Sequence, residues 1–411
     1  MSTLKQTISR ARWILLAFLS ILAALSLQTG IRGALNSSRD SQWWGANLLR
    51  QDIDPWKTAL LGQSISTPHF SQPTSLHMFY VLLLPFSKMS FHHAAEAWCF
   101  INILLSVAVI YLLKNLFGLS RFVAVAMLFL LWISAPFRAT LQSGTLSIFE
   151  LVLFCIVFYS ANSTIRGIAL GFSLSDYIFA PVVLSFLWFK HNIRTLTIAV
   201  IVVVLAVALA WSMVGGSVSQ IAFEPFSVAG LTPRSGTADM VTLLRLTLAR
   251  CLPSFGSSQA AACAAGLIAS GAYGLFVSRR RLSNRAYLTL ISVASLFMTR
   301  HSAHDYIFLL VPLVYAFSES GKSVRSVVAP IVAVFWFMDG LFPPLAAGIA
   351  PTTGQLMTAA SACCLLATLL FYITWSMLRT ERQPHVERSE KDRRRNLSPE
   401  SFSVGATASG R

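Results

Sequence analysis

Long apolar runs separated by short polar segments extend from Trp13 to Leu378. Because a helix needs about 20 apolar residues to cross a bilayer, these runs predict an all-α fold with roughly 10 to 13 transmembrane or re-entrant helices. The composition supports this interpretation, since 55% of the 411 residues are hydrophobic and 12% are charged. An ordinary soluble domain has roughly 25% charged residues. We therefore exclude a soluble globular protein and predict a polytopic integral membrane protein that is embedded in the lipid bilayer.

The topology of the second half follows from the distribution of positive charge. Cytoplasmic loops carry an excess of Lys and Arg, so the basic segment after Leu378 is placed in the cytoplasm. When the helices are counted back from this basic segment, the loop with residues 279–281 also lies on the cytoplasmic side. Residues 301–305 and the loop 215–256 then lie outside, together with the first outer loop, about 30–75. The helices predicted in this half lie near residues 257–278, 284–300, 304–318, 325–347 and 352–378.

The first half permits two schemes, because the apolar run 76–88 is short and the run 165–189 is interrupted at Asp176. In one scheme each run crosses the membrane once, giving about twelve spans. In the other, 76–88 enters and returns, and 165–189 forms two short helices that meet at Asp176 on the outer face. The positive-inside bias favours the second scheme. Both schemes place both termini in the cytoplasm, as expected for a multi-pass protein of the inner (cytoplasmic) membrane.

The net charge of +16 reflects this topology and does not indicate a nucleic-acid partner. Eight of the 32 Lys and Arg residues follow Leu378, and most of the others lie in short loops. We predict a membrane domain over residues 1–378 and a disordered, basic cytoplasmic tail over residues 379–411. Five of the six cysteines lie inside apolar runs, and none has the spacing of a disulfide framework or a zinc site.

The first outer loop carries a candidate catalytic carboxylate beside several tryptophans. Asp40 precedes Trp43 and Trp44, which suit short helices lying at the membrane interface. A carboxylate at this boundary is placed to take a proton from a hydroxyl while a lipid-borne group approaches from the bilayer. The alternative is that Asp40 only caps a helix. Asp54, which is followed by Pro55, is predicted to be a helix N-cap.

A second candidate cluster lies at an outer helix end. His301, His304 and Asp305 are spaced i, i+3 and i+4, so they would share one face if the helix continued through them. No further ligand group accompanies them, so zinc is disfavoured and we predict neither a metal nor a cofactor. A divalent cation stays open as an alternative. We predict that the cluster binds a phosphate or pyrophosphate, with Arg300 supplying charge; a purely structural role is the other alternative.

Four further polar residues are candidates for substrate binding. Gln142 stands in a polar turn whose glycine allows a close backbone approach. Asp176 lies between two apolar half-runs, where it either caps a helix or belongs to a site. Arg234 and Arg245, in the second outer loop, would either bind a lipid phosphate or anchor the loop at the interface.

The order of several short motifs resembles glycosyltransferase family 87, membrane enzymes of the GT-C superfamily that use polyprenyl-phosphate-linked sugars. The resemblance spans roughly residues 12–320. The motifs are Arg39-Asp40, Trp43 to Leu49, Asp54-Pro55-Trp56, Pro73, Leu84-Pro85-Phe86, Trp98 with Asn102, Gln142-Ser143-Gly144, and His304-Asp305-Tyr306 followed by Leu309-Leu310-Val311-Pro312.

The resemblance implies a GT-C-like fold and an inverting transfer on the periplasmic or extracellular face. Asp40 would deprotonate the acceptor hydroxyl, and polyprenyl phosphate would leave. The sugar, mannose or another hexose or pentose, would pass to a glycan or lipid acceptor. An activated glycosyl phosphate needs only orientation, a base and phosphate-stabilising groups from the protein. Two positions depart from the family pattern: Ser175 and Asp176 stand where the family has a Lys at an outer turn, and the Gly-Gln pair is not intact.

Two other functions stay open from the sequence. A polysaccharide polymerase or ligase that uses a diphosphate-linked glycan would depend on Arg234 or Arg245. A flippase or other transporter of lipid-linked sugars would need ionisable groups along an inner pathway, whereas the candidate residues here cluster at one face.

Overall fold

The computed structural model describes residues 2–37, 41–61, 75–175, 180–231, 239–251, 258–337 and 353–396. Within these ranges the regular elements are helices, and no strand is present. Short 3-10 helices lie at Phe86–Lys88, Ala303–Leu309 and Glu319–Val324. The α-helices are α1 Ser2–Ser37, α2 Ser41–Arg50, α3 Pro55–Leu60, α4 His77–Leu83, α5 Phe91–Phe117, α6 Arg121–Ile133, α7 Ala135–Ser143, α8 Ser147–Tyr159, α9 Ser163–Ser173, α10 Ala180–Phe189, α11 Ile193–Val214, α12 Val218–Leu231, α13 Met240–Cys251, α14 Ser258–Ser278, α15 Asn284–Met298, α16 Leu310–Phe317, α17 Arg325–Phe337 and α18 Thr353–Asn396.

Several of these helices are long and apolar enough to cross a membrane. In the described part of the chain five qualify, all or most of α1, α5, α11, α14 and α18. The number rises to seven if each of two bent pairs counts as one span: α6 with α7, bent by 60°, and Ala303–Phe317 with Glu319–Phe337, bent by 105°. The other apolar segments form shorter helices. The predicted all-α, polytopic membrane architecture is confirmed.

The helices α15 and α16 form the centre of the bundle. Every side chain from Ala286 to Leu296 in α15, and from Leu310 to Ala316 in α16, is buried. Helices α8, α10, α14, α16 and α18 pack around α15. The long helices α1 and α11 instead expose large apolar side chains, such as Trp13 at 70% and Leu205 at 62%. Such surfaces suit contact with lipid, which is as apolar as the side chains themselves.

The contact between α9 and α11 depends on two glycines. A Cβ added to Gly167 would lie 2.6 Å from Cβ of Ile198, and one added to Gly171 would lie 2.6 Å from Cβ of Val202. Two small residues four positions apart let membrane helices approach closely, and the close packing compensates for the weak hydrophobic drive between helices in lipid. The side chains of α11 therefore fill the space that these glycines leave.

The short elements of the first half favour the second of the two topological schemes. The helix α4 has seven residues, or about 10 Å of helix, which is too short to cross a hydrocarbon core of about 30 Å. The run 165–189 forms two separate helices, α9 and α10, as that scheme requires. The N–H of Leu76 donates to the carbonyl of Ser175 at 2.8 Å, so the start of α4 meets the end of α9.

The first outer loop contains the predicted short helices α2 and α3. Asp54 is the N-cap of α3, since its Oδ1 accepts from the backbone N–H of Trp56 at 2.9 Å and of Lys57 at 3.0 Å. The predicted N-cap is thus confirmed. The Trp56 indole is buried, and its Nε1 donates to the carbonyl of Ser75 at 3.2 Å. Together with Tyr80 of α4, it forms an apolar cluster against α11 and α12.

The helix α18 extends past the predicted boundary of the membrane domain at residue 378. It ends at Asn396, within the segment for which the composition predicts a disordered tail. Glu, Lys and Arg have high helix propensity, and alternating charges three or four positions apart support a helix that has already been nucleated by its apolar half. Residues 397–411 lie outside the described residues.

We predict that Gly171→Leu destabilises the protein by about 1–3 kcal/mol, because the larger side chain overpacks the contact with Val202. Thermal unfolding in detergent measures the effect. Gly271→Leu is the matched control: Gly271 also lies in a long apolar helix, but a Cβ there meets nothing within 4 Å. Equal loss of stability in both variants would contradict the close approach of α9 and α11.

Candidate functional site

A break in the helical chain lies between α15 and α16. The helix α15 ends at Met298, and Ser302 is extended, with φ −110° and ψ 166°. His301, His304 and Asp305 therefore do not lie on one continuous helix, which is the condition for their spacing to place them on a shared face. The break falls between the helices predicted near 284–300 and 304–318. The physical reason is that the Ser302 N–H donates to the Asp305 side chain and not to the Met298 carbonyl, which an α-helix would require.

The carboxylate of Asp305 holds the chain in position at this break. Its Oδ1 accepts from the hydroxyl of Ser147 at 2.7 Å, and its Oδ2 accepts from the backbone N–H of Ser302 at 2.7 Å. Asp305 is 1% exposed. A buried carboxylate is costly unless it is hydrogen-bonded, so these two bonds tie the start of α8 to the segment before α16.

His304 lies at the accessible edge of this carboxylate. Its Nε2 is 3.7 Å from Oδ1 of Asp305, and its side chain is 24% exposed. The exposed side of the ring can offer an N–H donor to an anionic ligand. A hydrogen bond to an anionic acceptor is among the strongest in proteins.

His301 is buried beside a different carboxylate. Its Nδ1 lies 3.3 Å from the carbonyl of Thr299 and 4.0 Å from Oδ2 of Asp239, and both side chains are fully buried. The ring also contacts Tyr306 edge to face, with ring centroids 4.9 Å apart. Asp239 in turn accepts from the backbone N–H of Thr242 at 2.6 Å and from its hydroxyl at 2.9 Å. His301 Nε2 is buried and has no hydrogen-bond partner among the described residues.

Two of the predicted arginines lie in the same region. Arg300 and Arg245 are both within electrostatic range of Cys263, as is Asp239. Arg245 belongs to α13, which packs against α14, α15 and α18. The second outer loop thus brings a cation to the end of α15 at which the chain breaks.

Gln142 connects the site to the end of α1. Its side chain packs against Gly33, where an added Cβ would lie 2.5 Å from Cγ of Gln142. The turn that follows is fixed by Gly144, whose φ of 62° is readily adopted only by glycine, and whose carbonyl accepts from the Trp98 indole at 2.9 Å. The helix α7 also packs on the 3-10 helix that holds His304. The helix α7, which carries Gln142, therefore contacts both α1 and the 3-10 helix that holds Asp305.

Three predicted site residues, Asp40, Asp176 and Arg234, lie outside the described residues. The described neighbours of Asp40 are Ser37, at the end of α1, and Ser41, at the start of α2.

A second acidic contact joins the first outer loop to α12. Burial, together with the carboxyl of Asp54, raises the pKa of Glu224 to about 7, while Lys57 acts in the opposite direction. Nearby, burial lowers the pKa of His77 to about 4, and its Nε2 lies 2.8 Å from the carbonyl of Ile221. Glu224 therefore changes charge near neutral pH.

Sequence reasoning missed two residues that organise the site. Ser147 gives no signal, because its partner Asp305 is 158 positions away. The role of Asp239 has a partial signal, since an Asp three residues before Thr242 is typical of a helix N-cap, but nothing local indicates His301. Glu150, which the sequence offers no reason to select, is also buried, at 1% exposure, in the first turn of α8.

The described residues contain no group of three His, Cys, Asp or Glu placed to hold a metal ion. They bring together histidines and arginines around buried carboxylates. Side chains of this kind provide charge-assisted hydrogen bonds to phosphate groups.

The comparisons with known proteins agree with this chemistry. The profile of glycosyltransferase family 87 matches residues 78–312, more than half of the chain. No curated protein and no solved structure matches it. The matched region includes the break between α15 and α16 and both carboxylates paired with histidines.

We predict that Ser147→Ala lowers the free energy of unfolding by about 1.5–3 kcal/mol, because it leaves the buried Asp305 carboxylate with one hydrogen bond fewer. Thermal unfolding in detergent measures this. Ser212→Ala is the control, since the Ser212 hydroxyl is exposed and donates to the Leu209 carbonyl of its own helix. An unchanged stability of Ser147→Ala would contradict the anchoring role.

We predict that the contact between α12 and α3 weakens as the pH rises through about 7. The pKa of Glu224 in the folded protein lies above its ordinary value of 4.5, so the folded state favours the neutral acid. Its contribution to stability is complete below pH 4.5 and is lost as the pH rises through the folded pKa.

Hydrogen–deuterium exchange of residues 218–228 between pH 6 and 8 measures this effect, once rates are corrected for the intrinsic pH dependence. Glu224→Gln, which keeps the shape and stays neutral, should abolish the pH dependence. The same pH dependence in Glu224→Gln would rule out Glu224 as its source.

Proposed function

Because the chain belongs to glycosyltransferase family 87, we propose that it transfers a sugar from a polyprenyl-phosphate-linked donor to a glycan or lipid acceptor. That it is a membrane glycosyltransferase follows from the family and from its long apolar helices. The sugar donor, the acceptor and the stereochemistry belong to the proposal. The sugar is mannose or another hexose or pentose.

The observation that carries the proposal is the pairing of His304 with the anchored Asp305. The carboxylate is buried and held by Ser147 and Ser302, while the histidine at its side is partly exposed. A histidine held in this way is pre-organised to donate to the phosphate of the leaving group. Fixed donors aimed at developing charge stabilise a transition state more than flexible ones do.

The proposed reaction is a single displacement. The oxygen of the acceptor hydroxyl attacks the anomeric carbon, and Asp40 takes the hydroxyl proton as general base. The bond between the anomeric carbon and the phosphate oxygen breaks, and its electron pair leaves with the polyprenyl phosphate. Attack on the face opposite the leaving group inverts the configuration. The donor is already activated, so orientation, a base and cations for the phosphate are sufficient, without a bound cofactor.

The remaining candidates take supporting roles in this proposal. Arg300 and Arg245 attract the donor phosphate, and Arg234 acts with them in the second outer loop. His301, fully buried beside Asp239, fixes the position of the break. Gln142 and Asp176 contact the sugar or the phosphate.

The proposed orientation follows from the positive-inside bias. The loop with residues 279–281 and the basic end of α18 face the cytoplasm, in the inner (cytoplasmic) membrane. Both termini then lie in the cytoplasm, and the Asp305 region lies at the outer face, where lipid-linked sugars and glycan acceptors meet.

The experiment that tests the proposal measures transfer by the protein reconstituted in liposomes, with a panel of polyprenyl-phosphate hexoses and pentoses and a membrane extract as acceptor. We expect Asp40→Asn to lower kcat by about 100- to 10,000-fold, as loss of a general base does. His304→Gln should lower kcat/KM by at least about tenfold, since it removes a charge-assisted hydrogen bond to the phosphate.

Asp52→Asn is the matched control for Asp40. Asp52 is an exposed carboxylate of the same loop with φ 59°, a conformation that Asn also adopts readily. His92→Gln, at a histidine whose side chain is 59% exposed, controls for His304. Near-normal turnover of Asp40→Asn would remove the proposed base, and absence of transfer by the unaltered protein with every sugar donor would overturn the proposed donor class.

A further inference from the structure

A cavity at the opposite end of α15 plays no part in the proposed transfer. It has a volume of about 350 Å³ and is lined by residues near the ends of α8, α9, α10, α11, α14 and α15, including Asn284 at the start of α15. The helix α15 has 15 residues, or about 22 Å of helix. The cavity is therefore separated from the His301 region by most of the thickness of the bundle.

The lining of this cavity is strongly cationic. Arg166, Lys190 and Arg281 all line it, and its described lining contains no Asp or Glu. The Nε of Arg166 is buried and has no hydrogen-bond partner in the described part of the chain. Asn192, the N-cap of α11, makes no side-chain capping bond and also lines the cavity. Among the described lining residues, positive charge is therefore in excess and no carboxylate neutralises it.

Hydrogen bonds to backbone carbonyls fix the shape of the cavity without neutralising its positive charge. The Lys190 ammonium donates to the carbonyl of Arg280 at 3.1 Å and lies 4.9 Å from the centre of the Tyr287 ring. The Tyr287 hydroxyl donates to the same carbonyl. The Asn284 amide donates to the carbonyl of Phe158 at 3.1 Å. The loops between three helix pairs are thus tied together around the cationic space.

The surface beside the cavity is apolar. Ile165, Trp188 and Ile193 are 50%, 62% and 50% exposed, and each stands one or two positions from a residue that lines the cavity. A ligand whose head is anionic and whose body is apolar matches both surfaces. Basic pockets between membrane helices on the cytoplasmic side bind the phosphate head groups of lipids, and a soluble phosphate would make no use of the apolar residues.

We propose that this cavity binds the phosphate head group of an anionic phospholipid, in the leaflet on the side of Arg281. The phosphate accepts from Arg166 and Arg281 and is attracted by Lys190, while the acyl chains lie along the apolar side chains of α9, α10 and α11. This lipid would hold together the loops that join helices of the two halves of the bundle. The proposal does not depend on the transfer reaction.

The test counts lipids retained by the purified full-length chain. The protein is transferred to nanodiscs of phosphatidylcholine containing phosphatidylglycerol, extracted into mild detergent, and examined by native mass spectrometry. We expect one retained phosphatidylglycerol per chain. The variant Arg166→Gln/Arg281→Gln should bind it at least about tenfold more weakly, because charge-assisted hydrogen bonds are lost.

The control variant Arg279→Gln/Arg285→Gln removes the same charge from neighbouring exposed positions that do not line the cavity, and it should retain the lipid. Thermal unfolding without added lipid checks that each variant folds. If the double variant does not fold, Arg281→Gln, at an exposed position, carries the test alone. Added phosphatidylglycerol should raise the unfolding temperature of the unaltered protein and of the control, and not that of the cavity variant.

Three outcomes would overturn the proposal. The first is that the cavity variant retains the lipid as well as the unaltered protein does. The second is that both double variants lose the lipid equally, which would indicate a diffuse charge effect. The third is that inorganic phosphate binds to the cavity while phosphatidylglycerol is not retained, which would assign the site to a soluble anion.

Discussion

The buried carboxylate of Asp305 is the interaction on which the rest of the site depends. Inside a membrane bundle, a chain can leave the helical conformation only where its polar groups find partners within the protein. The Asp305 side chain supplies such a partner for the Ser302 N–H and is itself held by Ser147. This single group allows α15 to end, sets the path of the chain toward α16, and places His304 at an accessible edge.

The same requirement explains why the second outer loop contributes to the region. His301 is fully buried within the break, and a buried imidazole needs polar surroundings. Its Nδ1 lies nearest the Thr299 carbonyl, and Asp239, at the start of α13, lies beside the ring while also capping that helix through Thr242. A polar contact, in addition to apolar packing, therefore connects the loop to the core. It carries Arg245 into the neighbourhood of Arg300, which gives the region its positive character.

Those features that depend on local patterns could be predicted from the sequence. Apolar runs give the helices near 257–278 and 284–300, and the Asp54-Pro55 pair gives the start of α3. The partners of Asp305 and His301 could not be predicted, because Ser147 and Asp239 are distant in sequence and carry no local signal for these contacts. The spacing of His301, His304 and Asp305 alone could not show whether a helix continues through them, because a side chain that captures a backbone N–H ends a helix.

In the proposed mechanism, Asp40 and His304 face one chamber at the outer side of the membrane. A cryo-EM structure of the protein in nanodiscs with a non-transferable polyprenyl-phosphate sugar would show whether they do. We expect the phosphate within about 3 Å of the His304 ring and the Asp40 carboxylate on the opposite side of the anomeric carbon, within one water of it. A phosphate bound far from His304, or Asp40 separated from that phosphate by packed helices, would contradict it.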